Sequence, residues 1–214
     1  MLLRRRRAMT VPGTAGDAHA TAAGAGRVAE PTDVGSTATP AEAGIADLLR
    51  TRIRDIPDYP QPGIVFKDIT PLLADGPAFA AVVAEVAAGH AGIDKVAGIE
   101  ARGFILAAPV AYFLGAGFVP VRKAGKLPAQ TYAQSYDLEY GSATLEVHTD
   151  AFAPGERVLV VDDVLATGGT AAATAELVSR SGAKVAGIIV LLELGFLQGR
   201  DKLSGLPFRA LLTV

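Results

Sequence analysis

The 214-residue chain contains no cysteine and no tryptophan. Without cysteine there is no disulfide framework, no thiolate zinc or iron–sulfur site and no thiol nucleophile, and nothing in the sequence calls for an oxidising compartment. The predicted address is therefore cytoplasmic. Long apolar runs are lacking as well: Gly, Pro or a charged residue interrupts each apolar stretch within roughly a dozen positions, short of the ~20 residues a membrane helix needs. No membrane contact is expected. Nor does one sign of charge dominate, with 20 Lys and Arg against 22 Asp and Glu. A protein that coats nucleic acid draws its affinity from many phosphate contacts, so no nucleic-acid partner is expected and any phosphate recognition has to be local. What the chain does have is apolar content, 50% of its residues, enough over this length for one substantial core.

Residues 1–40 differ from the rest. Arg4 to Arg7 form a basic cluster, and 20 of the 33 residues from Ala8 to Pro40 are Ala, Gly or Thr. This composition predicts a disordered extension rather than a signal peptide, because the basic start is followed by small and polar residues and not by an apolar segment. Met9, after the arginines, is an alternative start, in which case the cluster does not exist in the cell. Gly24, Gly26 and Ala29 fit a dinucleotide-binding spacing, but no strand precedes them and the match is read as chance. Residues 41–214 form the predicted folded domain. They carry 15 basic and 19 acidic residues, a net charge of −4.

From Ala41 onward helical and strand-like segments alternate as in βαβ units, predicting an α/β fold with a mainly parallel central sheet flanked by helices. Helices are expected over Glu42–Arg54, around Phe79–Val86, over Gly103–Leu114 and over Gly169–Ser181. Strands are expected at Lys95–Ile99, Gly117–Val121, Arg157–Val161, Val185–Leu192 and Phe208–Val214. Residues Arg122 to Asp137 show neither period and read as a long exposed loop, a feature usually tied to function. Leu138-Glu-Tyr140 and Thr144–His148, separated by Gly141-Ser142, read as a hairpin.

One stretch states a chemistry. Val158-Leu-Val-Val-Asp162-Asp163 is an apolar strand ending in two carboxylates, and Val-Leu-Ala166-Thr167-Gly168-Gly169-Thr170 is a small-residue turn leading into a helix. A helix that begins just after a parallel strand points unpaired N–H groups and a positive dipole end into the crevice at the sheet's carboxyl edge, where an anionic phosphate fits. Gly168 and Gly169 allow close backbone approach, and the hydroxyls of Thr167 and Thr170 can donate to phosphate oxygens. Asp162 and Asp163 accept only; adjacent ribose hydroxyls are their natural partners. A Walker loop is excluded, because no Lys follows the last Gly.

These residues resemble the phosphoribosyl pyrophosphate signature of the type I phosphoribosyltransferases. Four further segments are similar to the adenine phosphoribosyltransferases within that family: Pro57–Pro71, Gly98-Ile-Glu-Ala-Arg-Gly-Phe104, Arg122-Lys-Ala-Gly-Lys-Leu-Pro128 and Tyr136–Gly141. The resemblance covers about Ile45 to Val214 and leaves the first forty residues unmatched. It implies the type I phosphoribosyltransferase fold with a flexible lid loop and a small hood. The implied reaction joins adenine to 5-phosphoribosyl 1-pyrophosphate, giving AMP and pyrophosphate.

The resemblance also implies roles. The 5-phosphate would lie on Ala166, Thr167, Gly168, Gly169 and Thr170, with Asp162 and Asp163 on the ribose hydroxyls. Arg102, Arg122, Lys123, Lys126 and Tyr140 would serve the pyrophosphate, Arg102 and Lys126 counting among the catalytic residues. Glu139 matches the family's proposed general acid/base near N7 of the purine. Val65 and Lys67 would read the base through their backbone, Phe66 would stack on it and Leu194 would cover its other face. Lys67 stands where the family often has Arg. Mg²⁺ is the implied cofactor, held by substrate and water rather than by a protein cage, and a homodimer is the implied assembly. For Arg102 the alternative is a salt bridge to Glu100; for the loop cations, a solvated charge run; for Glu139, a surface position; for Phe66, core packing. Two other functions compete: a xanthine or hypoxanthine phosphoribosyltransferase, and a non-catalytic regulator that senses the same sugar phosphate.

Overall fold

The computed structural model describes residues 44–137 and 141–214. The N-terminal tract with its Gly24-Gly26-Ala29 match, the start of the first helix at Glu42, and Leu138-Glu139-Tyr140 lie outside the described residues.

Helix α1 (Ile45–Arg52) buries Leu48 and Leu49 and ends earlier than the predicted 42–54 pattern. Ile53 is extended and Arg54 opens strand β1 (Arg54–Pro57). The cause is tertiary. Strand β1 pairs antiparallel with β2 (Val65–Asp68), and the Arg54 guanidinium meets the Asp68 carboxylate at 2.6 Å. That hydrogen bond and the Thr70 amide hold the Asp68 carboxyl down at a pKa of about 2. This two-stranded ribbon stands apart from the main sheet as a small hood.

Helices α2 (Thr70–Ala74) and α3 (Gly76–Ala87) follow. Asp75 caps α3 by accepting from the Ala78 amide at 3.1 Å, with Pro77 in the first turn, where a missing N–H costs nothing. The remaining elements are β3 (Lys95–Ile99), α4 (Arg102–Leu114), β4 (Gly117–Lys123), β5 (Thr131–Asp137), β6 (Ser142–His148), β7 (Arg157–Leu165), α5 (Gly169–Arg180), β8 (Lys184–Glu193) and β9 (Phe208–Thr213). Two short 3-10 turns, Gly195–Leu197 and Gly199–Leu203, sit between β8 and β9. Among the described residues the main sheet has seven strands in the order β5-β6-β4-β3-β7-β8-β9. The five from β4 to β9 in that order are parallel, while β6 runs antiparallel to β4 and to β5.

The apolar strands are buried on both faces, which is why they read as continuous apolar runs. Leu159 and Val161 of β7, with Ile189 and Leu191 of β8, pack toward Val82, Leu106 and Val110 of α3 and α4. Val158 and Val160, with Ile188 and Val190, pack toward Leu177 and Val178 of α5. Each such side chain removed from water contributes about 1.5–3 kcal/mol.

Three expectations need correction. Residues 122–137 are not one long loop: Arg122 and Lys123 end β4, Thr131–Asp137 is strand β5, and only residues 124–130 connect them. In β5, Tyr132, Gln134 and Tyr136 alternate with the exposed Ala133, Ser135 and Asp137, and both tyrosines pack on the α5-side core. The hairpin's first strand accordingly includes 131–137, with Asp137 opposite Ser142, while the expected 138–140 lies outside the described residues. Finally, β7 runs on to Leu165, because Asp162, Val164 and Leu165 stay paired with Val190, Leu192 and Glu193 of β8. The acidic pair therefore sits inside a strand.

Helix α4 crosses β3 closely at Gly98, where a Cβ would lie 2.7 Å from the Ala107 Cβ and 2.9 Å from the Phe118 ring. Gly98→Ala should cost about 1–3 kcal/mol of stability by overpacking, read as a lower urea midpoint at unchanged slope.

Candidate active site

The carboxyl ends of β3 and β7 open onto a cavity of about 420 Å³ lined by Glu100, Arg102, Lys123, Asp162, Asp163 and Thr170, among others. A narrower cavity of about 70 Å³ adjoins it at residues 165–171, sharing Asp162, Ala166 and Thr170. This smaller cleft lies at the start of α5. Gly168 precedes the helix with φ 78°, a left-handed conformation open to glycine at little cost, and its carbonyl accepts from Ala172 at 3.0 Å. Gly168 has no side chain with which to cap the helix. The first-turn amides are thus free of intrahelical partners and carry the positive end of the helix dipole.

Asp162 lines both cavities, and Asp163 lines the larger one beside it. The Asp163 amide donates to Asp162 Oδ1 at 2.9 Å. Arg102 Nη2 lies 2.8 Å from Asp163 Oδ2, an ion pair by distance, yet that buried oxygen receives no aligned hydrogen bond. Arg102 also donates to the Lys67 carbonyl at 3.3 Å and lies 4.9 Å from the centre of the Phe66 ring. One guanidinium therefore joins the hood to β7. At the next residue a Cβ on Gly103 would lie 2.8 Å from Asp162 Oδ1, so only glycine lets α4 begin against the acidic pair.

A second cluster gathers on Glu100, whose side chain is only 9% exposed. It accepts from Arg122 Nε at 3.3 Å, from the Lys123 amide at 3.1 Å and from Lys126 Nζ. Burial pushes the Glu100 carboxyl up, but the Lys126, Lys123 and Arg122 contacts together outweigh it and leave its pKa below the ordinary value. Arg122 also donates to the Lys126 carbonyl at 3.0 Å, fixing the turn between β4 and β5.

The sequence model of the family described as "Phosphoribosyl transferase domain" matches residues 72–206. An adenine phosphoribosyltransferase of Streptomyces coelicolor is 64% identical over 177 residues, covering 80% of this chain and 97% of that one. The crystal structure of the adenine phosphoribosyltransferase from Rhodothermus marinus superposes with a TM-score of 0.77 at 50% identity, covering 80% of this chain and 99% of that chain. The Saccharomyces cerevisiae adenine phosphoribosyltransferase, solved with an imino-altritol bisphosphate and adenine, superposes at 0.75 with 39% identity, covering 79% and 99%. The chain belongs to the adenine phosphoribosyltransferase family. Its mainly parallel sheet and hood are the type I phosphoribosyltransferase fold.

Within this family member the expected residues fall into distinct groups. Arg102, Lys123, Asp162, Asp163, Ala166 and Thr170 share the large cavity, and Thr167 and Gly168 line the small one. Gly169 is buried at the start of α5, where a Cβ would lie 2.9 Å from the Tyr136 ring. Arg122 and Lys126 are held on Glu100. The salt bridge considered for Arg102 is formed, but with Asp163 rather than Glu100. Phe66 packs edge-on against Tyr59 at 5.2 Å and faces Arg102, not the core. The Lys67 ammonium pairs with Asp55 at 2.7 Å while its carbonyl meets Arg102. Val65 is about half exposed on the hood. Leu194 follows β8, its amide donating to the Leu165 carbonyl at 2.9 Å, directly beside the small cleft. Glu139 and Tyr140 lie outside the described residues. Two polar cavity residues were not assigned to the site from the sequence: Glu100 and Tyr136. The alternation of Tyr132, Gln134 and Tyr136 was the available signal for the latter.

Burial, and then the neighbouring Asp163 charge, push the Asp162 carboxyl well above the ordinary range. Burial raises Asp163 too, with Arg102 opposing. A carboxyl raised on folding binds more protons folded than unfolded, so its charge removes stability as pH climbs from the ordinary carboxylate range toward the raised value. Asp162→Asn should therefore gain stability over the wild type as pH rises from about 4 to neutrality. Urea denaturation at a series of pH values checks this; a variant that loses stability relative to wild type over that range contradicts it.

Proposed function

We propose that the chain is an adenine phosphoribosyltransferase of purine salvage: a pentosyltransferase joining adenine to 5-phosphoribosyl 1-pyrophosphate to give AMP and pyrophosphate. The observation that carries this reading is the continuity of the two cavities, with a helix N-terminus at one end, two carboxylates in the middle and cations at the other. Phosphate, ribose and pyrophosphate follow the same order in the substrate. Neither a 6-oxopurine enzyme nor a regulator is favoured by any feature of the site or its relatives.

In this reading the first-turn amides of α5 and the hydroxyls of Thr167 and Thr170 take the 5-phosphate, with Ala166, Gly168 and Gly169 presenting backbone. Asp162 and Asp163 accept from the ribose hydroxyls and sit near the positive charge that develops at C1. Arg102 and Lys123 meet the pyrophosphate, and Arg122 and Lys126 join them by exchanging Glu100 for the leaving group. The C1–oxygen bond to pyrophosphate breaks, the bond from adenine N9 to C1 forms, and Glu139 handles the purine proton, with Tyr140 beside the pyrophosphate. Phe66 stacks on adenine, Val65 and Lys67 offer backbone groups to its edge, and Leu194 covers the opposite face. Because only the Lys67 backbone is assigned to the base, its side chain remains free for Asp55.

Asp163 Oδ2, buried without an aligned hydrogen bond, and Asp162 fit a cation carried in by the substrate. Among the described residues no cluster of three or more His, Cys, Asp or Glu forms a protein cage. Mg²⁺ would be held largely by substrate oxygens and water, and when bound it neutralises charge on the leaving pyrophosphate. A homodimer is supported by the exposed apolar face of α4, where Tyr112 is 90% and Phe113 is 62% exposed beside Ile105. No helix among the described residues is long and apolar enough to cross a membrane, which agrees with a cytoplasmic enzyme.

The decisive experiment is AMP formation from adenine and phosphoribosyl pyrophosphate with Mg²⁺, with hypoxanthine and xanthine as controls; folded protein that makes no AMP refutes the reading. Glu139→Gln should lower kcat about 10²–10⁴-fold, the usual loss of a general acid/base. Arg102→Ala should lower kcat/KM for phosphoribosyl pyrophosphate about 10²–10³-fold, as loss of one preorganised donor to developing charge does.

A further inference from the structure

The phosphate loop is backed on its outer side by a segment with no role so far. A Cβ on Gly168 would lie 2.1 Å from the Gly199 carbonyl oxygen, and a Cβ on Gly199 would lie 2.1 Å from the Ala166 carbonyl oxygen and 2.8 Å from the Gly168 nitrogen. Two stretches of main chain are thus in direct contact, and neither position has room for a side chain. Gly199 opens the second 3-10 turn, and the residue after it anchors that turn. Arg200 donates from Nε to Glu193 Oε1 at 2.9 Å and from Nη2 to Oε2 at 2.5 Å, with its guanidinium 4.9 Å from the centre of the Phe208 ring.

Glu193 is the last residue of β8. It pairs in register with Leu165, the residue immediately before the loop, and its side chain is 6% exposed. Thr213 Oγ1 donates a third hydrogen bond to it at 3.2 Å. The Arg200 hydrogen bond holds the Glu193 carboxyl below its ordinary pKa against the effect of burial, so the pair is charged at neutral pH. A bidentate guanidinium–carboxylate pair fixes direction as well as distance. Here it ties the strand beside the first loop residue to the turn that presses on the loop's middle.

We infer that Gly199 and the Glu193–Arg200 ion pair are positioning elements for the 5-phosphate: they hold the backbone of residues 166–170 in its anion-receiving shape. The inference rests on the reading of that loop as the 5-phosphate seat. The loop has little of its own to hold it, since Gly168 is left-handed and without a side chain and Thr167 is only partly buried. Displacing the wall moves the amide donors, and a misplacement of about 1 Å costs up to about 100-fold where several donors must converge. The loss falls mainly on the sugar phosphate, since Val65, Phe66 and Lys67, three of the four contacts assigned to adenine, lie on the hood and only Leu194 adjoins Glu193.

The test uses the full chain and compares Gly199→Ala, Arg200→Met and Arg200→Lys with wild type. Calorimetric titration with phosphoribosyl pyrophosphate and Mg²⁺ gives affinity without turnover; steady-state kinetics give KM for each substrate; thermal melts report the fold. Gly199→Ala and Arg200→Met should weaken phosphoribosyl pyrophosphate binding about 10- to 100-fold with KM for adenine nearly unchanged, and Arg200→Lys should recover part of the loss. A lowered Tm with unchanged substrate affinity, or equal losses for both substrates, overturns the inference. Should Gly199→Ala not fold, the two Arg200 variants decide it. Wild-type protein that binds phosphoribosyl pyrophosphate but makes no AMP refutes the proposed function alone. Active wild type with unaffected variants refutes the inference alone, and wild type that does not bind overturns both.

Discussion

Two like charges buried side by side inside a central strand set the terms for the whole site. Asp162 is paired with Val190 of β8, Asp163 follows it within β7, and burial raises both carboxyls. A carboxylate pair in that position needs a cation, and Arg102 supplies one from the first residue of α4. The same guanidinium reaches the Lys67 carbonyl and the Phe66 ring, so the hood is tied to β7 through the charge that β7 requires. Gly103 lets α4 start close enough for this to happen.

The pattern repeats around the cavity. Glu100 gathers Arg122 and Lys126, and Glu193 holds Arg200. A folded part with a net charge of −4 can thus serve a polyanionic substrate, because its cations are stored at fixed points by internal carboxylates. The two kinds of pair differ in consequence. Arg122 and Lys126 are held on Glu100, which lines the main cavity, whereas Arg200 is shared between a carboxylate and the Phe208 ring and lies in the turn packed against the phosphate loop.

Much of the architecture was legible along the chain. The apolar runs at 95–99, 157–161 and 185–192 were readable because strands buried on both faces leave no polar position to confuse the period. Strand β5 was not, because its inward residues, Tyr132, Gln134 and Tyr136, are only half-buried and polar at their tips. The end of α1 was misread because the pairing of β1 with β2, a contact across the hood, overrides the helical period at Arg54. At the site, the Asp162 to Thr170 segment and Arg102 could be picked out from their residue types, while Val65, Phe66, Lys67 and Leu194 came only through family resemblance. Glu100 was legible only as a possible partner of Arg102, because its actual partners Arg122 and Lys126 lie 22 and 26 residues away.

The absence of cysteine and of any dominant charge already restricted the chemistry to local, charge-based recognition without a thiol. The strand, small-residue turn and helix start of residues 157–170 could be derived from the chain because a helix N-terminus is an anion site made of consecutive backbone. Tertiary structure decided everything that depends on pairs. It decided that Arg102 meets Asp163 rather than Glu100, that Glu100 holds the loop cations, and that Gly199 walls in Gly168. A charge on its own does not specify its partner; the partner is whichever group folding brings within a few ångströms in a place where water no longer competes.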